Sequence, residues 1–271
     1  MAIQVEPIGP LSGRISEVAE TIADETHRAL FRRVVDRIDP QAYLALQDKY
    51  RSATLSNPPT YMYKYLDVCH WIKDKVARAF SMGLMDSPPM RILDLGTGAG
   101  HFLAVCNALG HETVGIDLEF PLYVDLCALM GVDRRTWSVH PREPLPDSLG
   151  VFDLITAFQL KFDALGFDSA RHYLYWSLAD WDFFIRDVTG ERMRYPGRLW
   201  LQLNSRVRPD GARERFTDVI AACKAAGARV NETASEISFA ADGPMALFQP
   251  ERLVTEGPPK SGFHPTAAHR R

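Results

Sequence analysis

The chain has 271 residues, 46% hydrophobic and 24% charged, with a formal net charge of -3 and a pI of about 6.2. That is ordinary globular composition, enough for one large domain or a domain with an appended cap, and the acidic balance argues against a partner bound through nucleic-acid phosphates. Cys69, Cys106, Cys127 and Cys223 form no CxxC pair, no basic leader precedes an apolar run, and no segment is long and apolar enough to span a bilayer; these features argue against a disulfide framework, a zinc site and membrane insertion, and give the expectation of a cytoplasmic protein.

In chain order, residues 1–15 read as a loose lead-in. From Ser16, Val18, Ile22, Leu30, Val34 and Ile38 recur near one face, which predicts a helix running to the break at Pro40. A short helix is expected over 41–51. Turn residues at 56–59 lead into a longer helix ending near Phe80. After "DSPPM" the pattern changes to alternating strands and helices. "RILDL" and "ETVGID" read as strands, with "HFLAVCNAL" between them as a helix stopped by Gly110. "PLYVDLCALM" reads as a helix with Pro121 in its first turn, where a missing N–H costs little. "RTWSV" and "FDLITAF" follow as strands, then a long helix over 172–188 and the strand "GRLWLQLN". A helix over 214–227 and two strands, "ARVNETA" and "EISFAA", close the series as an antiparallel edge.

Such alternation predicts an α/β fold, a doubly wound sheet that is mostly parallel with an antiparallel end. The division expected is a helical cap over 1–89, a cofactor-binding domain over 90–255 and a flexible tail over 256–271.

The stretch "RILDLGTGAGHF" places Gly96, Gly98 and Gly100 in five positions, two residues after Asp94. Glycine reaches backbone angles that other residues avoid and lets a ligand touch the main chain. Between a strand and a helix such a turn aims N–H groups and the helix N-terminus at a ligand, at the carboxyl ends of the strands. The dinucleotide fingerprint is G-x-G-x-x-G. Here the spacing is G-x-G-x-G, and His101 holds the place of the third glycine. A carboxylate at Asp94 repels a pyrophosphate and attracts a cation. An electropositive ligand without phosphates therefore fits better than a nicotinamide dinucleotide.

"LDLGTGAGHF" resembles motif I of the class I S-adenosylmethionine-dependent methyltransferases, an acidic residue followed by G-x-G-x-G. The resemblance covers about residues 90–240 and implies a seven-stranded sheet with an antiparallel last hairpin. It also implies S-adenosylmethionine as cofactor. Asp94 then helps hold the methionyl amino group, and Gly96, Thr97, Gly98 and Gly100 form the loop. Asp117, closing the next strand about 20 residues on, receives the ribose hydroxyls, and Leu118 lies against the adenine. The region where many members carry an adenine-binding acid reads "VHPRE", so Val139 or His140 offers backbone contacts in its place. "YPGRLWLQLN" resembles the family's P-G-G turn, with Arg198 in place of the second glycine.

Methyl transfer from a sulfonium is an in-line displacement in which the protein contributes mostly by positioning. Phe158 and Gln159 follow the fourth strand, where the family shapes the transfer site. An oxygen acceptor usually needs a base as well, and the candidates are His101, His140, Asp163 and His172. "FDALGFD" alone does not make a metal site, and none is expected. "TYMYKY" places Tyr61, Tyr63 and Tyr65 as candidate lid residues over a methyl acceptor. The expected partner is a small-molecule or lipid-like acceptor methylated on O, N or C, with a homodimer as a further possibility. A nicotinamide-dependent oxidoreductase and a cofactor-binding scaffold without catalysis are the alternatives.

Overall fold

Four strand-to-helix alternations after residue 90 leave a sheet that must be covered on both faces, and the computed structural model of the chain shows how. It describes residues 8–52, 60–167, 173–208, 210–231, 233 and 235–247. Four helices come first: α1 (Leu11–Glu20), α2 (Glu25–Val35), α3 (Pro40–Ser52) and, after a 3-10 turn over Thr60–Leu66, α4 (Val68–Ser81). The main sheet is built from β1 (Arg91–Leu95), β2 (Glu112–Asp117), β3 (Arg134–Thr136), β4 (Phe152–Phe158), β7 (Met193–Gln202), β10 (Arg229–Asn231) and β11 (Glu236–Ala241). Helices α5 (His101–Leu109), α6 (Pro121–Leu129), α7 (Leu178–Gly190) and α8 (Thr217–Ala225) connect them. Two small ribbons, β5 (Asp163–Phe167) with β6 (Tyr173–Tyr175) and β8 (Arg206–Val207) with β9 (Arg213–Glu214), stand apart from it.

The strand order is β3-β2-β1-β4-β7-β11-β10. Strand β11 runs antiparallel to both β7 and β10, and the pairs among β3, β2, β1, β4 and β7 are parallel. The central strands read as continuous apolar runs because both faces are buried: Leu93, Leu95, Ile116, Leu154 and Ile155 are closed to solvent. One core, containing Phe152, Trp181, Ile185 and Phe239, lies under α7 and α8. The other joins α1–α4 to α5 and α6 through Phe31, Val35, Ile72, Val105 and Leu126.

Three element boundaries differ from the expectation, each for a local reason. The single helix expected from Ser16 to Ile38 is two. Thr21 closes α1, and the Asp24 carboxylate caps α2 by accepting from His27 N–H at 2.8 Å, as an N-cap aspartate does. The lead-in is partly helical, since α1 starts at Leu11. Arg14 ties it to the start of α4 through Asp67, at 2.5 and 3.1 Å, and Asp67 also caps α4. The helix expected over 172–188 begins only at Leu178. Ser177 caps it in a capping box with Asp180, and the residues before it form β6. The expected tail over 256–271 lies outside the described residues.

Candidate active site

The parallel strands all end at one edge, and there the chain leaves a cavity of about 970 Å³. Its floor is the loop between β1 and α5. Gly96, Gly98 and Gly100 all take positive φ, of 71°, 56° and 80°, angles that cost a side-chain-bearing residue strain. Gly96 and Thr97 donate their N–H groups to Ile116 carbonyl oxygen, at 2.8 and 3.2 Å, which fastens the loop to β2. Gly115 makes room for it, because a Cβ there would stand 2.6 Å from Thr97 Cγ2. Gly100 starts α5, where a Cβ would stand 2.7 Å from Cys127 Sγ on α6. Gly98 differs: the nearest atom to a Cβ there is Tyr123 Cε2 at 3.9 Å, so its bare backbone faces the cavity.

Two carboxylates flank this loop. Asp94 is 3% exposed and accepts from Thr156 Oγ1 at 2.7 Å. Burial pushes its carboxyl up to about 6, against the Thr156 hydrogen bond, with the Asp117 charge adding to the rise and Lys75 opposing it. Asp117 accepts from Gly98 N–H at 2.6 Å and from Leu118 N–H at 2.7 Å, one on each oxygen. Burial raises its pKa and these two N–H groups hold it down. Each oxygen keeps a lone pair for a further donor. Leu118, 48% exposed, presents an apolar surface beside it.

A ligand that fits must carry positive charge near Asp94 and hydroxyl donors near Asp117. It must also come close to the backbone at Gly98. The amino acid end, the ribose and the sulfonium of S-adenosylmethionine meet these demands, and the donor set fits that cofactor.

Of the candidate bases, His101 and Asp163 face the cavity. Burial holds the His101 imidazole at about 3, so it is neutral at ordinary pH, and its Nε2 has no hydrogen-bond partner among the described residues. Its ring stands 6.4 Å from those of Tyr65 and Trp71, tilted 29° and 28° to them. His140 follows β3 and is not among the cavity-lining residues; His172 lies outside the described residues. Phe158 and Gln159 line the cavity at the end of β4. Of the three tyrosines, Tyr65 faces it, Tyr63 is buried in the helical core beside Tyr50, and the Tyr61 side chain lies outside what is described.

The sequence reading missed the contribution of α4. Trp71, Asp74, Lys75 and Arg78 line the cavity from one face of that helix, while Val68, Ile72, Val76 and Ala79 bury the other. The spacing of three and four residues was a usable signal. Lys64, Tyr123, Lys161, Gln202 and Asn204 were also missed; Lys161, Gln202 and Asn204 are single polar residues at strand ends, which carry no periodic signature.

Seven strands in this order and a G-x-G-x-G loop between two carboxylates define a methyltransferase domain of the class I, Rossmann-like type. Residues 63–160 match the model of a family described as a methyltransferase domain. That match takes in the glycine loop and both flanking carboxylates, and S-adenosylmethionine is the cofactor that this donor set fits. Three similar solved structures show how far that likeness extends. One is an amino pentose methyltransferase of calicheamicin biosynthesis from Micromonospora echinaspora, solved with S-adenosylmethionine bound. It is 19% identical over 49% of this chain and 51% of its own, with a TM-score of 0.36. A magnesium protoporphyrin IX methyltransferase from Synechocystis is 14% identical over 70% and 88%, at 0.40. A methyltransferase from Streptomyces caelestis is 12% identical over 61% and 87%, at 0.41. The chain thus spans about half the length of the first of these. No curated protein matches it by sequence.

Proposed function

We propose that this chain binds S-adenosylmethionine in the carboxyl-edge cavity and transfers its methyl group to a small-molecule acceptor. The observation that carries the reading is the pairing of Asp94 and Asp117 across three glycines with positive φ. In this reading Asp94 holds the methionyl ammonium, Asp117 the ribose hydroxyls, Gly98 gives close backbone approach, and Leu118 covers the adenine. The bound cofactor supplies an activated methyl group on sulfur. The protein's part is positioning and exclusion of water. Phe158, 5.0 Å from Phe102 in an edge contact, walls the transfer site, and Tyr65 with Trp71 roofs it from the helical side. The helices over 1–89 serve as the cap that completes the acceptor pocket. Asp163, buried at the same end, is the candidate base if the acceptor is a hydroxyl. A cytoplasmic setting agrees with four free, buried cysteines, and among the described residues no helix is long and apolar enough to cross a membrane.

The test is native mass spectrometry of the purified chain with and without added S-adenosylmethionine, followed by a labelled-methyl screen of a metabolite extract. Cofactor adducts and a labelled small product support the reading. Cofactor binding with no transfer to any fraction favours a scaffold, and failure to bind the cofactor removes the proposal.

A further inference from the structure

Along the carboxyl edge the strands stand in the order β2, β1, β4, β7, and the cavity follows them. Asp117 and Asp94 mark the β2–β1 end, which the proposed function gives to the cofactor. The cation felt there by both Asp94 and His101 is Lys75. Lys75 lines the cavity with its Nζ paired to Asp74 Oδ2 at 2.7 Å, so this end carries charges of both signs for a zwitterionic amino acid end.

Phe158 and Gln202 mark the β4–β7 end, and a second cation reaches that end from α4. The Arg78 guanidinium lies 4.4 Å from the centroid of the Phe158 ring. Its Nη2 donates to Gln202 Oε1 at 2.9 Å. Nε and Nη1 are closed to water and make no hydrogen bond among the described residues. The neighbouring carboxylate, Glu236 Oε1, stands 3.7 Å from Nη1, beyond hydrogen-bond reach. A guanidinium carries five donors and keeps its charge, and this one is a partly exposed member of the cavity wall, ion-paired at a distance with Glu236. An anion entering the cavity meets the positive charge of the exposed part of this guanidinium. Glu236 makes the place unfavourable for a dianion, so a singly charged, planar group fits best.

We propose that Arg78 is a specificity-determining residue that anchors a carboxylate on the methyl acceptor, with Gln202 and Phe158 fixing its guanidinium. The acceptor is then an organic acid methylated at another atom. This rests on the methyltransferase reading, and the experiment separates the two.

The full chain, saturated with S-adenosylhomocysteine, is titrated calorimetrically with benzoate and, as the uncharged control, benzamide. Benzoate binding at millimolar levels, weaker by about tenfold or more for benzamide, is expected. Arg78→Met should abolish that preference while leaving S-adenosylhomocysteine affinity within about twofold. Arg78→Lys keeps the charge and should restore part of it, which guards against a folding defect in the methionine variant. Equal binding of the two probes, no benzoate binding, or benzoate binding unchanged in Arg78→Met overturns the proposal. So does an Arg78→Met protein that loses S-adenosylhomocysteine affinity but keeps that for 5′-methylthioadenosine, which lacks the amino acid end; Arg78 would then hold the cofactor's own carboxylate. If the wild-type chain binds no S-adenosylhomocysteine, the methyltransferase reading fails, and this inference with it.

Discussion

Asp94 is a carboxylate kept out of water beside a glycine loop, and its chemistry is testable by pH. In the ligand-free protein burial lifts its pKa to about 6. A group whose folded pKa is raised favours the folded state below its unfolded pKa, and that contribution is lost as pH rises through the folded value. Asp94 therefore costs the empty protein stability above about pH 6. A cationic ligand reverses the preference, because it binds the ionised form. S-Adenosylhomocysteine affinity should rise between about pH 5 and 7 and level off above, with uptake falling as Asp94 protonates. Calorimetry across that range checks this, and Asp94→Asn should bind weakly with a flatter profile; an unchanged profile contradicts the role. Asp117→Ala should cost about 1–3 kcal/mol of binding, since Gly98 and Leu118 N–H lose their charged acceptor along with the ribose hydroxyls. Gly98→Val puts a branched side chain into open space at a φ of 56°. The variant should fold, at about 1–2 kcal/mol of strain, and fail to bind; a variant that binds normally would show that the ligand does not approach this backbone.

The turn between β1 and α5 is held from two sides, by β2 through Ile116 and through Gly115 under Thr97, and by Cys127 on α6 with Val132 just beyond it, both against Gly100. Gly100→Ala meets both a clash with Cys127 Sγ and a φ of 80°, and should lose about 1–3 kcal/mol of stability. Adding Cys127→Ala should recover the part due to the clash and leave the backbone part, a coupling that denaturant melts of the two single variants and the double variant can measure. Additive losses would mean that the contact carries no energy. At this scale the sequence was most legible where periodicity and turn chemistry agreed. The strands from Arg91 to Asp117 and the helix between them stand where the pattern places them, because buried parallel strands leave uninterrupted apolar runs. It was least legible where one capping side chain overrides a continuing apolar stripe, as at Asp24 and Ser177. On α4 the amphipathic spacing was readable, but the role of its polar face was not: Lys75 and Arg78 look like solvated charges until the fold turns them into the cavity, Arg78 over the Phe158 ring.

The molecule as a whole couples a helical layer to the sheet through one shared core, so the cavity has walls from both. Tyr65, 4.8 Å from Trp71 and 5.5 Å from Tyr123, joins the 3-10 turn to α4 and α6 over the glycine loop. The tyrosine motif was thus only partly readable as a site, since alternate residues of a 3-10 turn do not share a face the way they do in a strand. Ligand binding across this joint should stabilise the whole chain. At a hundredfold excess over Kd the gain is about 2.7 kcal/mol, or roughly 5–10 °C in Tm for a chain of this size. The most direct measurement is calorimetric titration of the wild-type chain with S-adenosylhomocysteine and, separately, with NADH. A 1:1 complex with S-adenosylhomocysteine at micromolar Kd, about -8 kcal/mol, and no heat with NADH is the result predicted. Binding of NADH with none of S-adenosylhomocysteine would contradict it.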